Sequence, residues 1–241
     1  MDEKIFGRYR ALRLLGEGGM GAVYAAVEHG AGSGEGRLVA IKVLHRRYSQ
    51  DPQVVARFLN EARASARIGH PGVVPVREVG ESPEGAFIVM EYMDGQTLRA
   101  RLAQARGPFS GGVRLVAELA DTLAAAHAQG VVHRDIKPEN IMLVGPPGAE
   151  QARLLDFGIA RVVDDPAGMG TRTGMMLGTP AYMAPEQCRG LRVDDRADVY
   201  SVGVVLFEVL TGRPPFQGDL AELMAQHLYA PVPALPGWRQ S

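Results

Sequence analysis

Val132-His133-Arg134-Asp135-Ile136-Lys137-Pro138-Glu139-Asn140 decides the reading of this chain. An acid, Asp135, is followed two residues on by Lys137 and five residues on by Asn140. The three share a short loop between a helical stretch and an apolar strand. A carboxylate can accept the proton of a hydroxyl, an ammonium can meet a migrating phosphate, and an amide oxygen can hold a metal ion. Phosphoryl transfer from a nucleotide uses those parts. Asp156-Phe157-Gly158 begins twenty-one residues after Asp135, behind a second apolar strand, and supplies a further metal-binding carboxylate.

Upstream of this loop the chain is strand-rich. Residues 10–14, 22–27, 38–44, 73–79 and 86–91 are β-favouring and bounded by glycine, proline or charge. Residues 29–36 read as a flexible turn. One helix interrupts the set. Asp51 caps it, Pro52 takes the first helical position, and Val54, Val55, Phe58, Leu59, Ala62 and Ala66 recur at helical spacing. After Asp94-Gly95 the pattern turns helical. Ser110 is expected to cap a helix with Val113, Val116, Leu119, Ala120 and Leu123 on one face, ended by Gly130. Residues 199–210 are apolar nearly all round, which predicts a buried central helix. Leu220, Leu223, Met224 and His227 mark a shorter one. The expected fold class is α+β. Residues 1–93 form a small β-rich lobe with one key helix, residues 91–95 a hinge, and residues 94–241 a larger helical lobe. The two make one domain, with a ligand cleft between them.

Composition narrows the function. The net charge of −1 gives no reason to expect nucleic acid or an anionic membrane as the main partner. Cys188 is the single cysteine, so no internal disulfide can form, and a reducing, cytoplasmic setting is expected. Cys188 itself reads as a packed small residue. No signal-peptide core follows Met1, and no apolar run reaches the ~20 residues of a membrane span.

Gly16-Glu17-Gly18-Gly19-Met20-Gly21-Ala22-Val23 matches a phosphate-covering loop. Its glycines would let backbone amides approach phosphates without Cβ clashes. A Rossmann loop has a similar pattern but leads into a helix. Here Val23 to Val27 reads as strand, which favours a hairpin lid. Val39-Ala40-Ile41-Lys42 places one lysine in an apolar strand, and Glu61 lies near the buried stripe of the helix nineteen residues on. Two inward-facing opposite charges are expected to pair.

These motifs, with Ala184-Pro185-Glu186, resemble the catalytic core of eukaryotic-type protein kinases, and their wording resembles the bacterial PknB-like serine/threonine group. The resemblance implies the bilobal kinase fold, ATP and Mg2+ as nucleotide and metal, and transfer of the γ-phosphoryl group to protein serine or threonine. It implies Asp135 as base, Lys137 at the transferred phosphoryl, and Lys42 on the α- and β-phosphates, oriented by Glu61. Asn140 and Asp156 would hold magnesium. Gly16, Gly18, Gly21, Val23 and Ala40 would line the nucleotide, Met90 would stand behind the adenine, and the backbone of Glu91 and Met93 would bond the base. His133 would pack near Phe157. Arg134 would meet a phosphate on an activation loop, residues 164–177, at Thr171 or Thr173. Thr179 would bond the catalytic loop, Asp198 would brace its backbone, and Glu186 would seek an arginine. Lys137 and residues 178–186 match the serine/threonine form rather than the tyrosine form.

The implied partners are protein substrates and a second kinase copy for autophosphorylation. A catalytically silent nucleotide- or partner-binding module is the alternative. The match stops near Tyr229, before the last helices of the family, so a shortened helical lobe with an exposed apolar base is expected, with Trp238 in the proline-rich tail beyond it and Arg239 the one arginine left for Glu186.

Overall fold

The computed structural model describes residues 5–29, 36–105, 108–109, 111–157 and 180–235. Most of the expected 29–36 turn, the Ser110 cap, Gly158, the 164–177 loop with Thr171 and Thr173, Thr179, Trp238 and Arg239 lie outside the described residues.

Six antiparallel strands build the small lobe: β1 (Ile5–Phe6), β2 (Tyr9–Glu17), β3 (Gly21–Glu28), β4 (Leu38–Leu44), β5 (Val76–Ser82) and β6 (Gly85–Glu91). They lie in the order β1-β2-β3-β4-β6-β5. Helices α1 (Arg46–Ser49) and α2 (Pro52–Arg67) interrupt them after β4. The α2 start follows from local chemistry. The Asp51 carboxylate accepts from the Gln53 and Val54 amides at 2.8 and 3.4 Å, and Pro52 supplies a fixed φ where no amide donor is needed.

Strand alternation then sorts the side chains. Ala40, Leu44, Ile88 and Met90 face α2 and pack on Val55, Phe58, Leu59 and Ala62. Ile41, Val43, Phe87 and Val89 face the other way, under Phe6 and Tyr9. Lys42 follows Ala40 on the α2 side of β4. Gly21 is required where β3 meets β4, because a Cβ there would lie 2.1 Å from the Val43 carbonyl oxygen.

The chain leaves β6 at Glu91 and enters a second sheet, β7 (Gly95–Thr97), β8 (Ile141–Val144) and β9 (Gln151–Leu154). Around it lie α3 (Leu98–Gln104), α4 (Gly112–His127), α5 (Pro185–Cys188), α6 (Asp195–Thr211) and α7 (Leu220–Tyr229). Leu119 and Leu123 of α4, Ile141, Leu143 and Leu154 of the sheet, and Val205 and Val209 of α6 share one core.

That core also takes Ile68 and Val73 from between α2 and β5. Leu154 N–H donates to the Gly72 carbonyl at 2.7 Å and Val74 N–H to the Leu154 carbonyl at 3.1 Å. Here the structure corrects the sequence reading. Val73 is apolar because it docks on the large lobe, Val74 because it packs in the small-lobe core, and the strand begins only at Val76, after Pro75.

Two helices also differ from expectation. The buried side of α4 runs through Leu115, Val116, Leu119, Thr122 and Leu123, while Val113 is exposed. Gly111, in a left-handed conformation with φ 87°, stands at its N-cap. The α6 helix is not buried all round. Ala197, Ser201, Val204, Val205 and Val209 are buried, but Val199 is 65% exposed, since no described element covers that side. Val199, Tyr229 and Val232 are among the exposed apolar residues of this lobe.

Candidate active site

A cleft of about 880 Å³ opens between the two sheets, roofed by the β2–β3 hairpin and floored by β8 and the loop before it. It collects Gly16, Gly18, Gly21, Val23, Ala40 and Lys42 from the small lobe. Met90, Glu91 and Met93 come from the connection, and Asp135, Lys137, Asn140 and Asp156 from the large lobe. Gly16 and Gly18 have open space where a Cβ would point, so room for a ligand is their use, unlike the backbone packing at Gly21. Glu91 N–H already donates to the Pro75 carbonyl at 3.0 Å, so Glu91 can offer a base only its carbonyl.

The acid at the centre is tightly held. Asp135 Oδ2 lies 2.8 Å from Lys137 Nζ and accepts from Asn140 Nδ2 at 2.9 Å. The same Nδ2 reaches the Asp135 carbonyl at 2.8 Å, which turns the amide oxygen of Asn140 away from the acid. Asp156 Oδ2 pairs with Lys42 Nζ at 2.8 Å, and its Oδ1 is buried without a hydrogen-bond partner. A buried carboxylate oxygen without a donor and a nearby amide oxygen form a hard, all-oxygen donor set of the kind a magnesium ion takes, usually with one or two carboxylates and substrate phosphates. No group of three or more His, Cys, Asp or Glu side chains forms a metal cage among the described residues.

Lys42 is the point where the geometry departs from the expected pairing. Its ammonium contacts Asp156 rather than Glu61. Glu61 Oε2 is buried and makes no hydrogen bond. Burial pushes the Glu61 carboxyl up to about 7, against the opposing pull of Arg134, Lys42 and Arg57. Two carboxylates therefore compete for one lysine, and Asp156, the one that lines the cleft, holds it here.

The catalytic loop hangs from α6. Asp198 is 1% exposed. It accepts the His133 amide at 2.8 Å and the Arg134 amide at 2.7 Å. Arg134 has φ 68°, and Asp156 has φ 55°, a left-handed backbone that costs a non-glycine residue about 1 kcal/mol or more. Among the described residues these are the non-glycine positions with positive φ. Both flank the reacting centre, and the Asp198 carboxylate, accepting the His133 and Arg134 amides, holds the first of them. His133 Nε2 donates to the Leu155 carbonyl at 2.7 Å, and its ring meets Phe157 at 4.9 Å. It thus links the loop to the turn that carries Asp156. Glu186 stands in the first turn of α5 without an ion pair among the described residues.

Four further residues serve the site without having stood out in the sequence. Gln187 donates from Nε2 to the Arg134 carbonyl at 2.8 Å and accepts the Ala184 amide at 2.9 Å. His127 bonds Asp198 Oδ2 at 2.7 Å, which raises its own pKa. Arg99 reaches Glu139 at 2.8 Å, Glu208 at 2.7 Å and the Tyr182 hydroxyl. Glu208 in turn accepts from that hydroxyl at 2.5 Å. Only the Thr97 cap, which accepts the Ala100 amide, hints in the sequence at the helix that carries Arg99.

Comparison with known proteins agrees with this geometry. Residues 9–233 match the protein kinase domain family. The chain belongs to that family. It is 45% identical over 230 residues to serine/threonine-protein kinase pkn2 of Myxococcus xanthus, covering 94% of this chain and 27% of that protein. It is 44% identical over 237 residues to serine/threonine-protein kinase PknA of Mycobacterium tuberculosis, covering 95% of this chain and 53% of that one. The chain thus spans between about a quarter and about half the length of these relatives. A crystal structure of the Mycobacterium tuberculosis PknI kinase domain, a double mutant, superposes with a TM-score of 0.70 at 28% identity, over 92% of this chain and 79% of that one. In this kinase domain, then, the small β-rich lobe and the larger helical lobe are the family's bilobal fold.

Proposed function

We propose that this kinase domain transfers the γ-phosphoryl group of ATP to serine or threonine hydroxyls of proteins. The observation that carries the reading is the pair of charge clusters that line one cleft: Asp135 with Lys137 and Asn140, and Lys42 with Asp156. Asp135 accepts the proton of the attacking hydroxyl. Lys137, 2.8 Å from it, neutralises charge on the migrating group in this reading. Lys42 holds the phosphates once it exchanges Asp156 for them. Asn140 and Asp156 would hold Mg2+, which when bound neutralises phosphate charge. The 45% identity to a named serine/threonine-protein kinase supports the acceptor class.

Autophosphorylation of Thr171 or Thr173 and pairing of the phosphate with Arg134 belong to the same reading, as do a second kinase copy as partner and a cytoplasmic setting. They rest on the sequence resemblance. A contact between Thr179 and the catalytic loop and an arginine partner for Glu186 rest on it too. Among the described residues no helix is long and apolar enough to cross a membrane.

The test is phosphate transfer from labelled ATP to a generic basic acceptor protein, beside an Asp135→Asn control. Turnover should drop by roughly 100-fold or more, while nucleotide affinity stays near wild type, because the base acts on the hydroxyl. Wild-type turnover in Asp135→Asn would sink the assignment. Mass spectrometry after incubation with Mg-ATP, on wild type and on Thr171→Ala/Thr173→Ala, tests the loop sites.

A further inference from the structure

The roof of the cleft is tied down from outside. Three consecutive carbonyls of the glycine loop, those of Gly18, Gly19 and Met20, all bond to residues 45–47, just beyond β4. His45 Nε2 donates to Gly18 O at 2.9 Å, Arg47 Nη2 to Gly19 O at 2.5 Å, and His45 N–H to Met20 O at 2.8 Å. The anchors are themselves fixed. The Arg47 guanidinium lies 4.7 Å over the Tyr48 ring, and Tyr48 packs against the inner core of the small lobe.

Peptide planarity gives this arrangement a consequence. All described peptide bonds are trans, so each N–H points opposite to the carbonyl of the preceding residue. Holding the carbonyls of Gly18, Gly19 and Met20 on the 45–47 side therefore turns the amides of Gly19, Met20 and Gly21 away from it. Successive backbone amides turned to one side bind anions. These three residues line the cleft, and nothing stands where a Cβ on Gly18 would point.

We infer that His45 and Arg47 are positioning residues that orient the glycine-loop amides toward the polyphosphate of the nucleotide. They act on the phosphate end of the ligand only, and through the loop rather than by touching it. This rests on the nucleotide-binding reading above.

The test compares Mg-ATP, Mg-ADP and adenosine by calorimetric titration, on wild type, His45→Ala, Arg47→Ala and Arg47→Lys. Each alanine variant should lose roughly fivefold or more in affinity for ATP and ADP, the scale of one lost hydrogen bond. Adenosine should bind all four proteins alike, and lysine should restore part of the loss. Wild type that binds no nucleotide overturns the nucleotide reading itself. Wild type that binds, with alanine variants that bind equally well, overturns the latch alone. So does a parallel loss of adenosine, which would mean general distortion of the cleft. Full rescue by lysine with a silent His45→Ala would assign the effect to charge near the phosphates and also overturn it.

Discussion

Lys42 Nζ sits 2.8 Å from Asp156 Oδ2, while Glu61, the other carboxylate turned toward that lysine, keeps a buried oxygen with no hydrogen bond. An unpaired buried carboxylate prefers its proton, and the Glu61 pKa is pushed up to about 7 by burial. The folded value lies above the unfolded one of 4.5, so the folded state binds the extra proton. The favourable contribution is complete below the unfolded pKa and is lost as pH rises through about 7.

Glu61→Gln should therefore raise the melting temperature of the ligand-free domain near pH 8 and leave it nearly unchanged near pH 5. After discounting for partial solvent exposure, the gain is on the order of 1 kcal/mol, or about 2–4 °C. Thermal melts of both proteins across that range check it. A glutamine variant less stable than wild type near pH 8 would show that Glu61 is already paired in the free protein.

The same two residues should separate in kinetics. Lys42→Met removes the cation that positions phosphates and should lower kcat/KM by roughly 100-fold or more. Glu61→Gln leaves the Lys42 charge in place and removes only its orienting partner, so about tenfold is expected. Equal and negligible losses in steady-state assays would count against the proposed roles of both.

Asp198 carries a third expectation, through His127. The bond to Asp198 Oδ2 at 2.7 Å raises the His127 pKa above 6.5. A raised folded pKa stabilises fully below the unfolded value and stops doing so as pH passes the folded one. The stability advantage of wild type over His127→Gln should thus be larger near pH 6 than near pH 9, as read by urea unfolding. A gap that does not vary with pH would mean the imidazole stays neutral and acts by packing alone.

Some of this was legible in the residues and some was not, for physical reasons. β4 and the start of α2 carry their signals locally, in an apolar run and in Asp51-Pro52. The two-residue β1 and four-residue α1 are too short to show a period, although α1 brings Arg47 to the glycine loop. Val73 and Val74 mislead because apolar side chains look alike whether they pair in a strand or pack against a core from a loop. In the site, Lys42, Asp135, Asn140 and Asp156 stand in short motifs, but which carboxylate holds Lys42 is a matter of tertiary distance. Gln187 and Arg134 are 53 residues apart, and Arg99 and Glu208 are 109 apart. No local pattern encodes such contacts.

The Arg99 contact yields the last expectation. Glu208 has a 3% exposed side chain and Tyr182 is 4% exposed, so the carboxylate depends on the guanidinium at 2.7 Å and the phenol at 2.5 Å. Arg99 also reaches Glu139 in the catalytic loop, and so joins α3, that loop, α6 and the segment before α5. Arg99→Met keeps much of the stem but strands a buried charge. The cost should be roughly 2–4 kcal/mol, the low side for a broken buried pair because Arg99 itself is partly solvated. Adding Glu208→Gln removes the stranded charge and keeps an acceptor for Tyr182, so the double variant should regain a large part of the loss. Denaturant unfolding of the two single variants and the double measures the coupling. If Arg99→Met unfolds at the wild-type midpoint, or the two changes simply add, the four-way junction is not held by charge.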